Sequence, residues 1–215
     1  MKDHETILLE AERAMGFVPN SLKSMAKKPN ILGSFSMLFA NIKGFSSSKT
    51  SAWTGFRIAI KNLIWTLKAK KASHLELPSY LKDLIAHVSS NASGCRYCQA
   101  HTAHTAHRNG VSVEKLQKVW EFETSDLFSE QERAALRFAL AAGSTPNKIT
   151  QEHHENLNTF FTPSQIIEIV STIAIFGFLN RWNDSMATQL EEEPLLFAQT
   201  HLANTWEAGK HVIKS

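Results

Sequence analysis

Along most of the chain, apolar residues recur at steps of three and four, the spacing of one helix face. Leu8, Leu9 and Met15, with Glu12 among them, predict a short amphipathic helix ended by Gly16. Pro19-Asn20-Ser21 opens a second short segment through Ala26, and Pro29 opens a third carrying Ile31, Phe35, Leu38, Phe39 and Ile42. Gly44 to Ser51 is polar and reads as a loop. From Phe56 to Lys71, Phe56, Ile60, Leu63, Ile64 and Leu67 keep helical spacing, while Arg57, Lys61, Lys68, Lys70 and Lys71 fall elsewhere. A partly buried helix with a solvated basic end accounts for that stretch better than a membrane-surface helix. Pro78 opens the next helix at its first turn, with Leu81, Leu84, Ile85 and Val88 along one face. Gly94 precedes a helix that holds both cysteines and stops at Asn109-Gly110. Ser112 to Phe122 forms another helix, and Ser129 with Glu132 makes a capping box before Ala134, Leu136, Phe138 and Leu140. Thr150 to Phe160 follows, and Pro163 opens a long apolar helix. No alternating strand pattern persists, so the predicted fold is an all-α helical bundle.

Composition narrows the function classes. With 215 residues and 43% hydrophobic content there is material for a real core, which excludes general disorder. By length one domain, or two small similar lobes, is expected; the reading taken is a single domain over 1–215, its N-terminal helices within 1–71. The net charge of +3, from 23 basic and 20 acidic residues, is too weak to imply nucleic acid. A membrane span needs roughly 20 apolar residues; the best run, Ile166 to Leu179, is shorter and holds Glu168, so no membrane is expected. The start, Met1-Lys2-Asp3-His4-Glu5, lacks the apolar stretch of a signal peptide, so the expected compartment is the cytoplasm. Structural disulfides are uncommon there. The two cysteines, Cys95 and Cys98, could close only a tiny loop and are read as chemistry before structure.

An internal repeat frames them. Pro78-Ser79-Tyr80-Leu81-Lys82-Asp83-Leu84-Ile85 matches Pro163-Ser164-Gln165-Ile166-Ile167-Glu168-Ile169-Val170. The same offset sets Cys95-Arg96-Tyr97-Cys98 on Asn180-Arg181-Trp182-Asn183. The reading is a duplicated helix pair: a CxxC copy at about 78–123 and a degenerate copy at about 163–189, with amides where the first has thiols.

At about 100° per residue, Cys95, Cys98, His101 and His104 form a slowly turning stripe. Cys95 in the first helical turn meets unpaired N–H groups and the positive dipole end, which favour thiolate. Two residues between the thiols allow a reversible disulfide. His101, one turn on, can take a proton from Cys98, and Asp83 on the preceding helix can orient that ring. His87 lies one turn from Asp83 and can pair with it, and His104 and His107 read as solvated. Zinc held by Cys95, Cys98, His101 and one more ligand is the rival, but no second CxxC or HxxxH lies nearby. Attached haem needs His directly after the second Cys, where Gln99 stands. No metal and no organic cofactor is expected.

The run from Cys95 to His101, with Lys82-Asp83-Leu84-Ile85 before it, resembles the carboxymuconolactone decarboxylase superfamily, in its alkylhydroperoxidase D-like, peroxidase-related branch. Gly16-Phe17-Val18-Pro19-Asn20, Glu132 to Leu136 and Asn180 to Asp184 fit the same branch. The resemblance implies an all-helical fold, often with two related repeats, and a homo-oligomer (trimer, hexamer or dimer). It also implies an antioxidant thiol peroxidase. Cys98 attacks a hydroperoxide, Cys95 captures the sulfenate as a disulfide, His101 and Asp83 relay protons, and a dithiol donor restores the pair. Two departures stand out: the family acid is Glu where this chain has Asp83, and the relay His often falls where this chain has Thr102. The other class in play is a redox-responsive or metal-holding scaffold of the same fold. A buried thiol with no base in reach would favour that class.

Overall fold

The structure, a computed structural model, describes residues 3–15, 17–18, 20–43, 60, 77–202 and 205–212. The expected loop at 44–51 lies outside these, as do Gly16 and, Ile60 excepted, the expected helix at 56–71. The chain groups into two compact units, Met1–Glu76 and Leu77–Ser215. In the first, α1 (Asp3–Met15) and α2 (Asn20–Met25) both pack on α3 (Pro29–Lys43). Helix α2 begins at Asn20 and α3 at Pro29, at the predicted starts, whereas α1 begins at Asp3, ahead of the expected Leu8.

The second unit holds all the predicted site residues. Its helices are α4 (Ser79–Ala92), α5 (Arg96–Arg108), α6 (Val113–Gln117), α7 (Glu130–Gly143), α8 (Gln151–Phe160), α9 (Pro163–Met186) and α10 (Glu192–His201). Short 3₁₀ turns lie at Val119–Glu121 and Gly209–His211. The described residues contain no strand. Helix α4 is central and packs on α5, α7 and α9. Its predicted stripe of Leu81, Leu84, Ile85 and Val88 is fully buried. Ala100, Ala103 and Ala106 face it from α5, small enough to bring the two axes close. The capping box at Ser129 forms as predicted: Ser129 N–H donates to Glu132 Oε2 at 2.8 Å, and Glu132 N–H donates to Ser129 Oγ at 3.3 Å. The segment from Ser112 to Phe122 is instead a five-residue helix and a 3₁₀ turn.

Close packing also fixes Gly143, the last residue of α7. A Cβ there would lie 2.7 Å from Ser89 O and 2.8 Å from Ser89 Cα, both backbone atoms of α4. Helix propensity alone favours Ala over Gly by about 1 kcal/mol. The clash outweighs it, since overpacking costs about 1–3 kcal/mol. Gly143→Ala is therefore expected to lower the urea midpoint, and a raised midpoint would refute this close approach.

The second copy of the repeat departs from the expected helix pair. Helix α9 runs unbroken for 24 residues, through the positions that match the α4–α5 turn. In the first copy Gly94 takes φ +78° and lets the chain reverse. Leu179 stands at the matching position, and an L-residue there continues the helix. Helix α9 thus outlasts the apolar run from Ile166 to Leu179. Among the described residues it is the one helix long and apolar enough to cross a membrane by length and composition. Its Glu168, however, is buried in the bundle, 2.8 Å from Lys82 Nζ and accepting from Leu77 N–H at 3.1 Å.

Candidate functional site

Gly94 turns the chain so that Cys95 becomes the N-cap of α5 rather than a first-turn residue. Its Sγ accepts the backbone N–H of Cys98 at 3.4 Å. The Cys98 thiol donates to the same sulfur and draws Cys95 below the ordinary thiol range. Burial opposes this, the backbone N–H groups of Cys98 and Tyr97 add to it, and the Asp184 carboxylate works against it. Cys98 is pushed up, first by holding its proton for Cys95, then by burial and by the negative charge beside it. The sequence favours ionisation of both thiols, Cys95 at the helix start and Cys98 with help from His101; the capping donors favour Cys95. Both thiols are buried, Cys95 at 1% exposure and Cys98 at 3%.

The partner of Cys98 comes from the second copy of the repeat. Asn183 Nδ2 donates to Cys98 Sγ at 3.6 Å, and the two residues are 85 apart, which is the repeat offset. Amide and thiol at matching positions thus face each other between α5 and α9. Asn180, which matches Cys95, is buried, and its side-chain amide has no hydrogen-bond partner.

His101 points elsewhere. Its Nε2 lies 2.6 Å from Glu191 Oε2, and its ring stacks on Tyr97 with centroids 4.3 Å apart. Tyr97 O–H donates to the same carboxylate at 3.0 Å. The acid beside His101 is therefore Glu191, the N-cap of α10, and not Asp83. Asp83 Oδ2 accepts from Asn109 Nδ2 at 2.7 Å. Helices α4 and α5 are antiparallel, which puts that contact about 16 Å along the axis from Cys98. The expected Asp83–His101–Cys98 relay is not assembled.

His87 is likewise not paired with Asp83. Thr102 O–H donates to Cys98 O at 2.7 Å, so its oxygen accepts Nδ1–H of His87 at 3.0 Å. Asn91 Nδ2 donates to His87 Nε2 at 3.3 Å. Burial pulls the His87 pKa from 6.5 down to about 4, against a hydrogen bond at Gln99. The ring stays neutral and ties α4 to the cysteine helix. Above pH 6.5 it is neutral in both folded and unfolded chains. As pH falls from there to about 4, the unfolded chain takes a proton that the fold refuses. Stability should drop over that window by about 3 kcal/mol in the limit. Urea unfolding at several pH values reads this, and His87→Gln should flatten it; an equal acid loss in the variant would exclude His87 as the cause. His104 and His107 rest against Phe197 of α10, with ring centroids 5.5 and 5.2 Å away.

A base for Cys95 comes from a residue with no motif around it. Ala187, at φ 47°, ends α9 and turns the chain. The C-terminal segment then returns over the site: Trp206 Nε1–H donates to Arg96 O at 2.9 Å, and Leu190 N–H donates to His211 O at 2.8 Å. His211 is 1% exposed. Its Nδ1–H donates to Thr188 O at 2.8 Å, which leaves Nε2 as the basic nitrogen. The Nε2 of His211, the Sγ of Cys95 and a carboxylate oxygen of Asp184 all lie within 4.8 Å of one another. The thiols are thus buried, but with amide donors and an imidazole at hand.

Comparison with known proteins adds to this geometry. The family model of the carboxymuconolactone decarboxylase family matches residues 60–141. YnjA, an uncharacterised protein of Escherichia coli (strain K12), is 32% identical over 92 residues, 43% of this chain. The chain spans 50% of the length of that curated relative. Among solved structures, the debrominase Bmp8 in its apo form is 34% identical, with 91% of this chain and 90% of that chain covered and a TM-score of 0.55. A cysteine-to-alanine variant of that debrominase, in complex with 2,3,4-tribromopyrrole, is 33% identical over 93% of this chain and 91% of that one, with a TM-score of 0.56.

Proposed function

The chain belongs to the carboxymuconolactone decarboxylase family, and on that premise we propose that Cys95 and Cys98 carry out the two-electron reduction of a hydroperoxide. The observation that carries the reading is Cys95 Sγ at the helix start, supplied with N–H donors and facing the basic nitrogen of His211. His211 takes the Cys95 proton. The thiolate attacks the outer peroxide oxygen, an S–O bond forms as O–O breaks, and the alkoxide leaves as alcohol with the proton returned by His211. Cys98 then attacks the sulfenic sulfur, S–S replaces S–O, and water departs with the Cys98 proton. Two thiols and ROOH give a disulfide, ROH and water. A dithiol donor restores the pair by exchange. The resemblance assigns first attack to Cys98; the donors around Cys95 favour the opposite order.

The likeness to a debrominase supports a second reading, in which the same two electrons remove a halogen. There an aryl bromide and two thiols give the debrominated ring, a disulfide, bromide and a proton. The reduced protein is to be mixed with an organic hydroperoxide or with a bromopyrrole, following Trp fluorescence and bromide release. Rapid one-equivalent oxidation by the peroxide supports the first reading. Bromide release without peroxide consumption replaces it with the second, and neither reaction overturns both. A homo-oligomer is proposed as well, because Ile175, Phe178, Trp182 and Met186 lie exposed along α9.

A further inference from the structure

Cys95, Asp184 and His211 come from the start of α5, the end of α9 and the C-terminal segment, and their ligand atoms converge within 4.8 Å. His211 Nε2 is buried and has no hydrogen-bond partner. Its other nitrogen is anchored on a backbone carbonyl, Thr188 O. A histidine that donates one N–H to a carbonyl and turns the other nitrogen to a thiol and a carboxylate is arranged as metal ligands are. Asp184 matches it: Oδ2 lies 3.0 Å from Lys210 Nζ, while Oδ1 faces His211 Nε2 at 3.7 Å.

We propose that Cys95 Sγ, Asp184 Oδ1 and His211 Nε2 form a zinc site, with water in the fourth position. This set differs from the Cys95, Cys98 and His101 ligands that spacing suggested. Thiolate, imidazole and carboxylate together suit Zn²⁺, whereas Mg²⁺ and Ca²⁺ take oxygen ligands. Bonds of about 2.0–2.3 Å set tetrahedral ligand atoms roughly 3.3–3.8 Å apart. The His211–Asp184 spacing of 3.7 Å already fits. From the 4.8 Å bound, Cys95 has at most about 1 Å to close. On binding, the Cys95 proton goes to solvent and nothing is oxidised. Bound zinc then occupies the sulfur used by the dithiol cycle and holds off its oxidation. That consequence rests on the proposed dithiol chemistry; the coordination itself does not.

The test begins with reduced, metal-free protein titrated with Co²⁺. One equivalent should give thiolate charge-transfer absorption with the visible bands of a tetrahedral ion, and Zn²⁺ should erase them. His211→Ala and Asp184→Asn, with helical circular dichroism retained, should each weaken Zn²⁺ affinity by about 100-fold or more against a chromophoric chelator. In the unaltered protein, one equivalent of Zn²⁺ should also slow alkylation of Cys95. Absence of the tetrahedral cobalt spectrum overturns the site. So does undiminished affinity in folded His211→Ala, or an equal loss in His101→Ala. Peroxide turnover of the metal-free protein is read separately: turnover without zinc binding removes this site alone, and zinc binding without turnover removes the peroxidase reading alone.

Discussion

Cys95→Ser should lose thiol-driven peroxide turnover by about three orders of magnitude or more, as loss of a nucleophile does elsewhere. Serine keeps the cap at the start of α5 but does not ionise near neutral pH, so fold and reactivity are separated in one variant. Cys98→Ser should instead undergo a single oxidation. The sulfenic acid then stays on Cys95, open to a dimedone tag, and no disulfide follows. Mass spectrometry of each variant after one equivalent of peroxide distinguishes the two roles. A sulfenate on Cys98 in the Cys95→Ser protein, formed at the unaltered rate, would give first attack to Cys98. Full turnover in both variants would end the dithiol mechanism.

Glu168→Ala should cost about 1–2 kcal/mol of folding stability, chiefly for the buried acceptor it removes. The carboxylate side chain is 7% exposed and Lys82 33%. Removing the buried carboxylate breaks its ion pair with the partly exposed Lys82. It also takes the acceptor from Leu77 N–H, 3.1 Å away, where the chain enters α4. Glu168→Gln keeps an acceptor there and should lose less. Urea unfolding with an unchanged slope measures both. A change within about 0.5 kcal/mol in the Ala protein would mean that the pair contributes nothing to the fold.

Much of the bundle was legible in the local pattern. The buried face of α4, the cap at Ser129, the stop at Asn109-Gly110 and the start at Pro163 each follow from residues within a few positions of one another. The repeat is legible too, and two of its matched positions, Asn183 and Cys98, meet in the structure. Its second half misled because one Gly decides whether the chain turns, and a similarity of pattern does not weigh that Gly against Leu179. No motif or periodicity singles out the chain after residue 189, yet Glu191 and His211 both come from that part.

By itself the sequence determined the helical class, the family resemblance and the thiol pair, because helix periodicity and CxxC spacing are local properties of the chain. Tertiary structure alone decided the company those thiols keep. Asp83 sits on the neighbouring helix but at its far end, since antiparallel packing separates residues that lie within one motif along the chain. His211 lies more than a hundred positions from Cys95 and is brought to it by the left-handed turn at Ala187 and the return of the C-terminal segment. Such an encounter depends on where whole helices pack, and no periodicity along the chain encodes it.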